Sequence, residues 1–372
     1  MILLILAFIL FIGLIVVHEF GHFIVARRNG VEVEEFGIFF PPTLWRKKMK
    51  GGYDFTINAL PLGGFVKLKG EHDSDTQKGS FGAAKLPAKI KIMLAGVGMN
   101  LLAAYLLFAL VAVAGMPKLV ENQFTVARDT KVIRQQLLIG YVEKDSPAEK
   151  AGLRVRDEIV AIGPLGETDP VESANNLPNL TRRFAGQNVQ LTFSRSGQMR
   201  AANLKLRTTQ EVDAAKNTDN PKGYLGISPA EFVLRRSTWS APIVAAGLIK
   251  QFTILTLRGL WGVVSNLFHG QAQQASEQVS GPVGIFVILK DGSLLGYQFI
   301  LVILAVISLT LAIMNALPIP ALDGGRLFVT LLSRTMKRPL KPVTEEWIHG
   351  TGLIVLLGLF VLITIVDVRR FF

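Results

Sequence analysis

Long apolar stretches dominate the hydrophobic pattern of this chain. Residues 3–26, 90–116, 292–322 and 348–366 are each almost wholly apolar. A helix rises ~1.5 Å per residue, so each stretch is long enough to cross a hydrocarbon layer about 30 Å thick. The pattern therefore predicts four transmembrane helices.

A fifth apolar segment, residues 239–270, is broken by Lys250, Arg258 and several glycines. Trp239 and Trp261 are suited to the membrane–water interface. We expect one or two amphipathic helices on the membrane surface here, with a full crossing as the alternative. A crossing would reverse the direction of the apolar helix that follows.

Strand periodicity replaces the apolar pattern in residues 53–69. Phe55, Ile57 and Ala59 alternate with polar residues, and Pro61 with Gly63-Gly64 forms a turn signal. The pattern predicts a β-hairpin whose edge could bind an extended peptide by strand addition. The alternative is a hairpin without a special role. The residues predicted to contact a peptide or a developing oxyanion are Gly64, Phe65 and Val66.

Charge places the segments relative to the membrane and sets the domain boundaries. Arg27, Arg28 and a basic run at 46–50 follow the first span, so this loop is cytoplasmic by the positive-inside rule and the N-terminus is outside. The polar segment at 117–237 follows two spans, so it lies outside the cytoplasm. The predicted divisions are residues 1–116 (two spans and the hairpin), 117–237 (a soluble domain), 238–291 (surface helices and linker) and 292–372 (two further spans).

Composition narrows the class of protein. Half of the 372 residues are hydrophobic, which excludes an ordinary soluble enzyme. The net charge of +12 is explained by cytoplasmic loops, so no nucleic-acid partner is predicted. The absence of cysteine removes disulfides and cysteine-ligated metals. A cleaved signal peptide is not expected, because the N-terminus has no basic region before its apolar run.

The first span contains His18-Glu19-Phe20-Gly21-His22. In H-E-x-x-H on a helix, two histidines one turn apart can hold zinc, and the glutamate can accept a proton from water. Unpaired ionisable residues are costly inside a membrane, so a functional role is favoured over a chance match. The sequence predicts His18 and His22 as zinc ligands and Glu19 as the catalytic base.

Asp323 is the predicted third ligand. It follows the third apolar run, and Pro318 and Pro320 would break the helix just before it. Basic residues after it place this end on the cytoplasmic side, at the depth of the two histidines. A plain loop carboxylate is the alternative. None of the remaining histidines is better placed along the chain: His72, His269 and His349.

Asn315 lies eight residues before Asp323 on the same apolar element. It could donate a hydrogen bond to a substrate carbonyl or a developing oxyanion. A structural hydrogen bond between helices is an equal alternative.

These motifs together resemble the site-2 protease family of intramembrane zinc metalloproteases. The resemblance rests on the H-E-x-x-H motif, on Asn315 through Gly324 in the form N-x-x-P-x-P-x-L-D-G, on residues 61–67 and on residues 280–285. It covers nearly the whole chain. Val97 stands where many members have proline, which concerns only the local geometry of the second span.

The predicted outer domain resembles a single bacterial PDZ domain. The resemblance rests on residues 139–142, 146–153 and 157–162. A PDZ domain binds a chain terminus or an extended segment along its backbone. The resemblance therefore places a peptide groove at Gly140, Tyr141 and Val142. The fold class expected for the chain is a bundle of four transmembrane helices with a membrane-associated β-hairpin and one inserted extracytoplasmic PDZ domain.

The family resemblance implies regulated intramembrane proteolysis in a bacterial plasma (inner) membrane. Substrates would be single-span membrane proteins, such as anti-sigma factors, already cut by a site-1 type protease. The PDZ domain would gate substrate access, and membrane lipid would surround the helices. The alternatives are an inactive membrane PDZ adaptor, disfavoured by the intact Glu19, and a zinc transporter, disfavoured by spans almost free of other ionisable residues.

Overall fold

The computed structural model describes residues 2–72, 75–216, 218, 221–336 and 341–371. Its contacts divide into two compact units. The first, here the helical unit, comprises Met1–Met116, Asn122–Asp129 and Ser237–Phe372, and the second, the β unit, comprises Pro117–Glu121 and Thr130–Arg236. The β unit lies within residues 117–237, the range predicted for the soluble domain, and Asn122–Asp129 of that range belongs to the helical unit.

The helices of the helical unit follow the apolar runs of the sequence. Their bounds are α1 (Ile2–Arg28), α2 (Leu86–Met93), α3 (Ala95–Ala114), α7 (Ala241–Phe268), α8 (Ala272–Glu277), α9 (Pro282–Leu295), α10 (Tyr297–Ala316), α11 (Asp323–Thr335) and α12 (Pro342–Phe371). The short helices of the β unit are α4 (Pro147–Lys150), α5 (Leu177–Arg183) and α6 (Thr209–Ala215).

Five helices of the described chain are long and apolar enough to cross a membrane: α1, α3, α7, α10 and α12. The fifth candidate, α7, is one continuous helix of 28 residues rather than a pair. Length and composition therefore allow either the four predicted crossings or five. The coarse prediction of membrane helices combined with a β domain agrees with the structure.

Two predicted spans begin later than the apolar pattern indicated. The second is interrupted at Leu94, so α3 starts at Ala95. The third is interrupted at Gly296, whose φ of 114° favours glycine and ends α9 before α10 begins at Tyr297. Leu94 lies inside apolar sequence, where hydropathy carries no signal of a break, whereas Gly296 lies between the polar residues Ser293 and Gln298 of an uncharged run.

The predicted hairpin within residues 53–69 is wrong in its pairing. The whole segment forms one strand, β2 (Asp54–Leu68), whose partner is β1 (Val33–Lys48), a strand that the hydrophobic pattern did not reveal. The register shifts repeatedly, so that Ile38 pairs with both Gly64 and Ile57. The first half of β1 therefore lies between the two halves of β2. Pro61 and Gly63-Gly64 bend a strand instead of closing a hairpin.

The core of the helical unit joins α1 to α9 and α10. Ala7, Leu14, Leu289, Ile300 and Leu304 form one buried cluster. A second set of contacts joins α3 to α10, where the Ser308 hydroxyl donates to the Asn100 carbonyl at 2.8 Å. These contacts hold α1 and α3, which both contribute to the candidate site, against α10.

The β unit is built on an antiparallel sheet around one apolar core. Its strands are β3 (Met116–Pro117), β4 (Lys131–Val142), β5 (Glu158–Gly163), β6 (Asp169–Pro170), β7 (Asn188–Arg195), β8 (Gln198–Lys205) and β9 (Ile227–Arg236), in the order β3-β9-β4-β5-β7-β8 with β6 on β5. Ile139, Ile162 and Leu191 are fully buried in its core. Asp157, only 2% exposed, is paired with Arg195 at 2.6 Å.

Candidate metal centre

Two helices bring together three side chains that could hold a metal ion. His18 and His22 lie one turn apart on α1, and Asp323 is the first residue of α11. Asp323 Oδ2 lies 3.1 Å from His18 Nε2 and 3.2 Å from His22 Nε2, and the two Nε2 atoms are 3.3 Å apart. Within the described residues, this is the group of three that could hold a metal ion.

The triangle of donor atoms has the size that zinc requires. Zinc binds imidazole nitrogen and carboxylate oxygen at about 2.0–2.1 Å, so two ligands of a tetrahedral site are about 3.3–3.4 Å apart. The three separations, 3.1 to 3.3 Å, match this value. Three protein ligands leave the fourth position for water or substrate, as in catalytic zinc sites. The donor set and its spacing therefore fit a catalytic zinc ion.

Outer partners orient both imidazole rings. His22 Nδ1 lies 2.8 Å from the carbonyl oxygen of Ile92, near the end of α2, so Nδ1 donates and Nε2 is free to face a metal. His18 Nδ1 lies 3.2 Å from the side-chain amide of buried Asn100. The contacting atom is Asn100 Nδ2, and Asn100 Oδ1 has no partner among the described residues. Rotation of the amide would place Oδ1 where it accepts the proton of His18 Nδ1.

Gly96 on α3 makes room for the site. A Cβ atom at this position would lie 2.3 Å from His22 Nε2 and 2.6 Å from His18 Nε2. Gly21 on α1 performs a similar role against α3, since a Cβ there would lie 2.6 Å from the Ala95 carbonyl. The two glycines let the helices approach until the histidines rest on the α3 backbone.

The turn before α11 aims the carboxylate of Asp323. The chain folds back tightly, and a Cβ at Gly324 would lie 2.4 Å from the Ala316 carbonyl. A Cβ at Gly325 would lie 2.0 Å from the Ile319 carbonyl. The two glycines after the aspartate are therefore needed for this turn, because any side chain would force it open.

Glu19 stands beside the ligands and against strand β2. A Cβ at Gly64 would lie 3.2 Å from Glu19 Cγ, and the backbone N–H of Val66 points to the Glu19 carboxylate. The strand residues 64–66 thus line the side of the site where the carboxylate lies. Phe65 is different, because its ring covers Gly37 and stacks on Phe40 at 6.1 Å within its own sheet.

Comparison with known families supplies the identity of this arrangement. Residues 6–359 match the model of peptidase family M50. The chain belongs to this family. Family M50 is the site-2 protease family and uses zinc, so the family resemblance seen in the sequence is confirmed. The chain is a zinc metalloprotease.

Bacterial relatives resemble the chain over almost its full length. A Nostoc protein is 30% identical over 96% of this chain and 93% of its own length. A Clostridium perfringens protein is 29% identical over 97% of both chains, and one from Fusobacterium nucleatum is 28% identical over 98% of both. Each is named as a candidate zinc metalloprotease.

Asn315 and the predicted peptide groove of the M50 chain make contacts other than those that the sequence predicted. The Asn315 side-chain amide donates to the Leu311 carbonyl of its own helix at 3.1 Å, so its substrate contact stays a prediction. In the β unit, Tyr141 and Val142 pair with Ser228 and Ile227 of β9. One backbone edge of the predicted Gly140–Val142 groove is therefore occupied by β9, and the groove also stays a prediction.

Sequence reasoning did not assign the outer partners of the metal centre. An amide such as that of Asn100 needs a partner in hydrocarbon, yet nothing in the sequence connects Asn100 to His18. The partner of His22 is the backbone carbonyl of Ile92, and no residue type in the sequence reveals a backbone partner. A glycine in an apolar helix permits close helix approach, but only the fold shows that Gly96 contacts the histidines.

Proposed function

We propose that the chain is an intramembrane endopeptidase that cuts single-span membrane proteins, with His18, His22 and Asp323 as zinc ligands and Glu19 as its base. The observation that carries the proposal is the triangle of three donor atoms on apolar helices, with a carboxylate beside it. A bound zinc ion would supply a Lewis acid that polarises the scissile carbonyl and lowers the pKa of water.

Side chains of the protein then transfer the proton. The Glu19 carboxylate accepts a proton from the attacking water and delivers it to the leaving amine nitrogen. His22 and His18 keep their Nε2 atoms turned to the site because their Nδ1 atoms face Ile92 and Asn100. Asp323 adds a negative charge that helps to hold a dication.

Strand β2 supports a role in substrate binding. A substrate helix hides its carbonyls in its own hydrogen bonds, so it must unwind before hydrolysis. Residues 64–66 lie directly against Glu19, and a peptide paired with this segment would bring its carbonyls close to the base. Lipid and this extended segment of substrate are the two partners expected at the helical unit.

We further propose four crossings, with the N-terminus and the β unit outside and the metal centre toward the cytoplasmic side of a bacterial plasma membrane. The position of α7 supports this count. Gly262 of α7 lies beside Gln278, only three residues from Gly281, and Gly281 is bound by Asp367 of α12. Asp367 stands about 27 Å along α12 from His349, which contacts the Asp323 turn. In the proposed topology Asp367 lies at the outer end of α12, and this supports an outer position for the far half of α7.

Accessible cysteines test this topology, because the parent chain has none. Gln271→Cys follows α7, and Lys48→Cys lies at the end of β1. In intact spheroplasts, a membrane-impermeant maleimide should label Gln271→Cys and should label Lys48→Cys only after lysis. Labelling of Gln271→Cys only after lysis would show that α7 crosses.

The β unit is proposed as a PDZ domain that gates access for substrates already shortened by a site-1 type protease, anti-sigma factors among them. Its removal can be designed from the structure, because the Asp129 carboxylate binds the Thr238 backbone N–H at 2.7 Å. Replacing residues 130–236 by a short Gly-Ser linker should leave zinc content unchanged and admit uncut substrates. A zinc-loaded deletion variant that still rejects uncut substrates would refute gating.

Reconstitution with a membrane-tethered substrate in liposomes tests the proposed chemistry. Glu19→Gln should keep zinc and abolish cleavage, whereas Asp323→Ala should lose zinc as well. Glu172→Gln, an exposed change in the β unit, is the matched control and should behave like the parent. Undiminished cleavage by Glu19→Gln would remove the base from the mechanism. If the parent itself failed to cut, the inactive-adaptor alternative would stand instead.

A further inference from the structure

The last helix, α12, is the least buried of the five candidate spans. Its two buried residues are both carboxylates, Glu345 near its start and Asp367 near its end. Asp367 accepts hydrogen bonds from the backbone N–H groups of Gly281 and Gly284 at the start of α9. Apolar packing therefore contributes little to the position of α12, and specific polar contacts attach it to the bundle.

One of these contacts is made to the turn that carries Asp323. The backbone N–H of Ala321 donates to His349 Nδ1 at 3.3 Å. Ala321 has a φ of 74°, a left-handed conformation that residues other than glycine adopt at a cost. Such a conformation persists only where neighbouring structure holds it. His349 binds the backbone at the strained residue itself, two positions before the metal ligand.

Shape complementarity brings α12 against the same turn. A Cβ at Gly352 would lie 2.5 Å from Pro320 Cβ, so the helix touches the turn one position before Ala321. Because Nδ1 of His349 accepts a hydrogen bond, the proton of the neutral ring is on Nε2. Nε2 is buried and has no partner within the described residues. The hydrogen bond to the turn is thus the one that fixes this ring.

We propose that His349 is a positioning residue for the metal centre: it holds the Ala321 turn so that the Asp323 carboxylate faces His18 and His22. His349 itself is not a member of the three-residue donor cluster. The inference rests on the proposed zinc ligand set. Partners outside the ligand shell typically change metal affinity by about 10–100-fold, and an effect near the lower end is expected here.

The test compares side chains that place an acceptor at different points. In His349→Asn the amide oxygen replaces Nδ1, in His349→Gln it lies near the former Nε2, and His349→Leu has no acceptor. His349→Asn should bind zinc within ~3-fold of the parent, and the other two should bind about 10-fold more weakly. His269→Leu, a change of an exposed histidine just after the end of α7, should have no effect. Zinc affinity is measured by chelator competition, and geometry by the visible spectrum of the cobalt-substituted protein.

Melting of the metal-free proteins in detergent separates positioning from folding. A purely structural role would lower the melting temperature of all three variants. In that case His349→Asn would not bind zinc more tightly than His349→Gln and His349→Leu. If His349→Leu fails to fold, the comparison of Asn with Gln still decides. Parent-like affinity and cobalt spectra in His349→Gln or His349→Leu would overturn the proposal. If Asp323→Ala also retained parent-like zinc affinity, the ligand set itself would be wrong.

Discussion

Gly96→Ala introduces a single methyl group beneath the metal centre. Its Cβ would lie 2.3 Å from His22 Nε2, whereas ordinary contacts begin at 3.4 Å. The imidazole must therefore retreat by about 1.1 Å, the difference of these two distances, or α3 must move by the same amount. Interiors are packed too densely to absorb such a shift freely.

A shift of this size exceeds what a zinc site tolerates. Metal–ligand distances vary by about 0.2 Å around their ideal values, and the required movement is about five times larger. Misplacement by about 1 Å commonly costs about 100-fold in activity. Gly96→Ala should therefore bind zinc at least about 100-fold more weakly and lose cleavage in proportion.

Two other glycines provide the controls. A Cβ at Gly98, one half-turn further along α3, meets no atom within 4 Å, so Gly98→Ala should keep zinc and gain up to about 1 kcal/mol of helix stability. Gly21→Ala disturbs the same helix contact from α1, against the Ala95 carbonyl, and should lower thermal stability. Chelator competition and melting in detergent distinguish the three. If Gly96→Ala bound zinc like Gly98→Ala, the assignment of the close approach would be refuted.

Three further predictions concern other parts of the chain. Gly64→Ala places a methyl 3.2 Å from Glu19 Cγ and should lower kcat/KM about 10-fold with unchanged zinc content; equal loss of zinc would contradict it. Asp157→Ala leaves Arg195 without its buried partner and should destabilise the β unit by about 3 kcal/mol in melting experiments, whereas Asp169→Ala, at an exposed pair, should cost under about 1 kcal/mol. At Asp129, burial raises the carboxyl pKa, but hydrogen bonds from Ser240 and Thr238 outweigh it and hold the pKa well below its usual range. The folded-state pKa lies below the unfolded value of about 3.9, so this stabilisation is present above pH 4 and is lost as the pH falls below it; Asp129→Asn should remove that part of the pH dependence of melting.

Much of the candidate site could be predicted, because its residues are close in sequence or are polar side chains that would be costly to bury in hydrocarbon without a function. His18 and His22 share a helix face by their spacing alone, and polar side chains in an apolar run are informative because hydrocarbon penalises them. Asp323 could be chosen by topology, since charge bias gave the direction of each span. These inferences need only the period of a helix and the thickness of a membrane.

The pairing of strands and the breaks and packing of helices could not be predicted in the same way. The partner of β2 turned out to be β1, because strand pairing depends on which backbone edges meet in three dimensions and β1 lacks a clear alternating pattern. The helix breaks at Leu94 and Gly296 lie inside uncharged sequence, where hydropathy did not mark a boundary. The crossing of α7 was ambiguous from hydropathy, and its length in the fold alone does not resolve it.

The sequence by itself therefore determined which residues could bind a metal and which stretches enter the membrane, because helix period, hydropathy and charge act along the chain. Only the tertiary structure decided that Asp323 Oδ2 lies 3.1 and 3.2 Å from the two histidines, that Gly96 makes room for them, and that His349 holds the turn. Those distances depend on how separate helices pack, and packing is set by contacts between residues far apart in the chain.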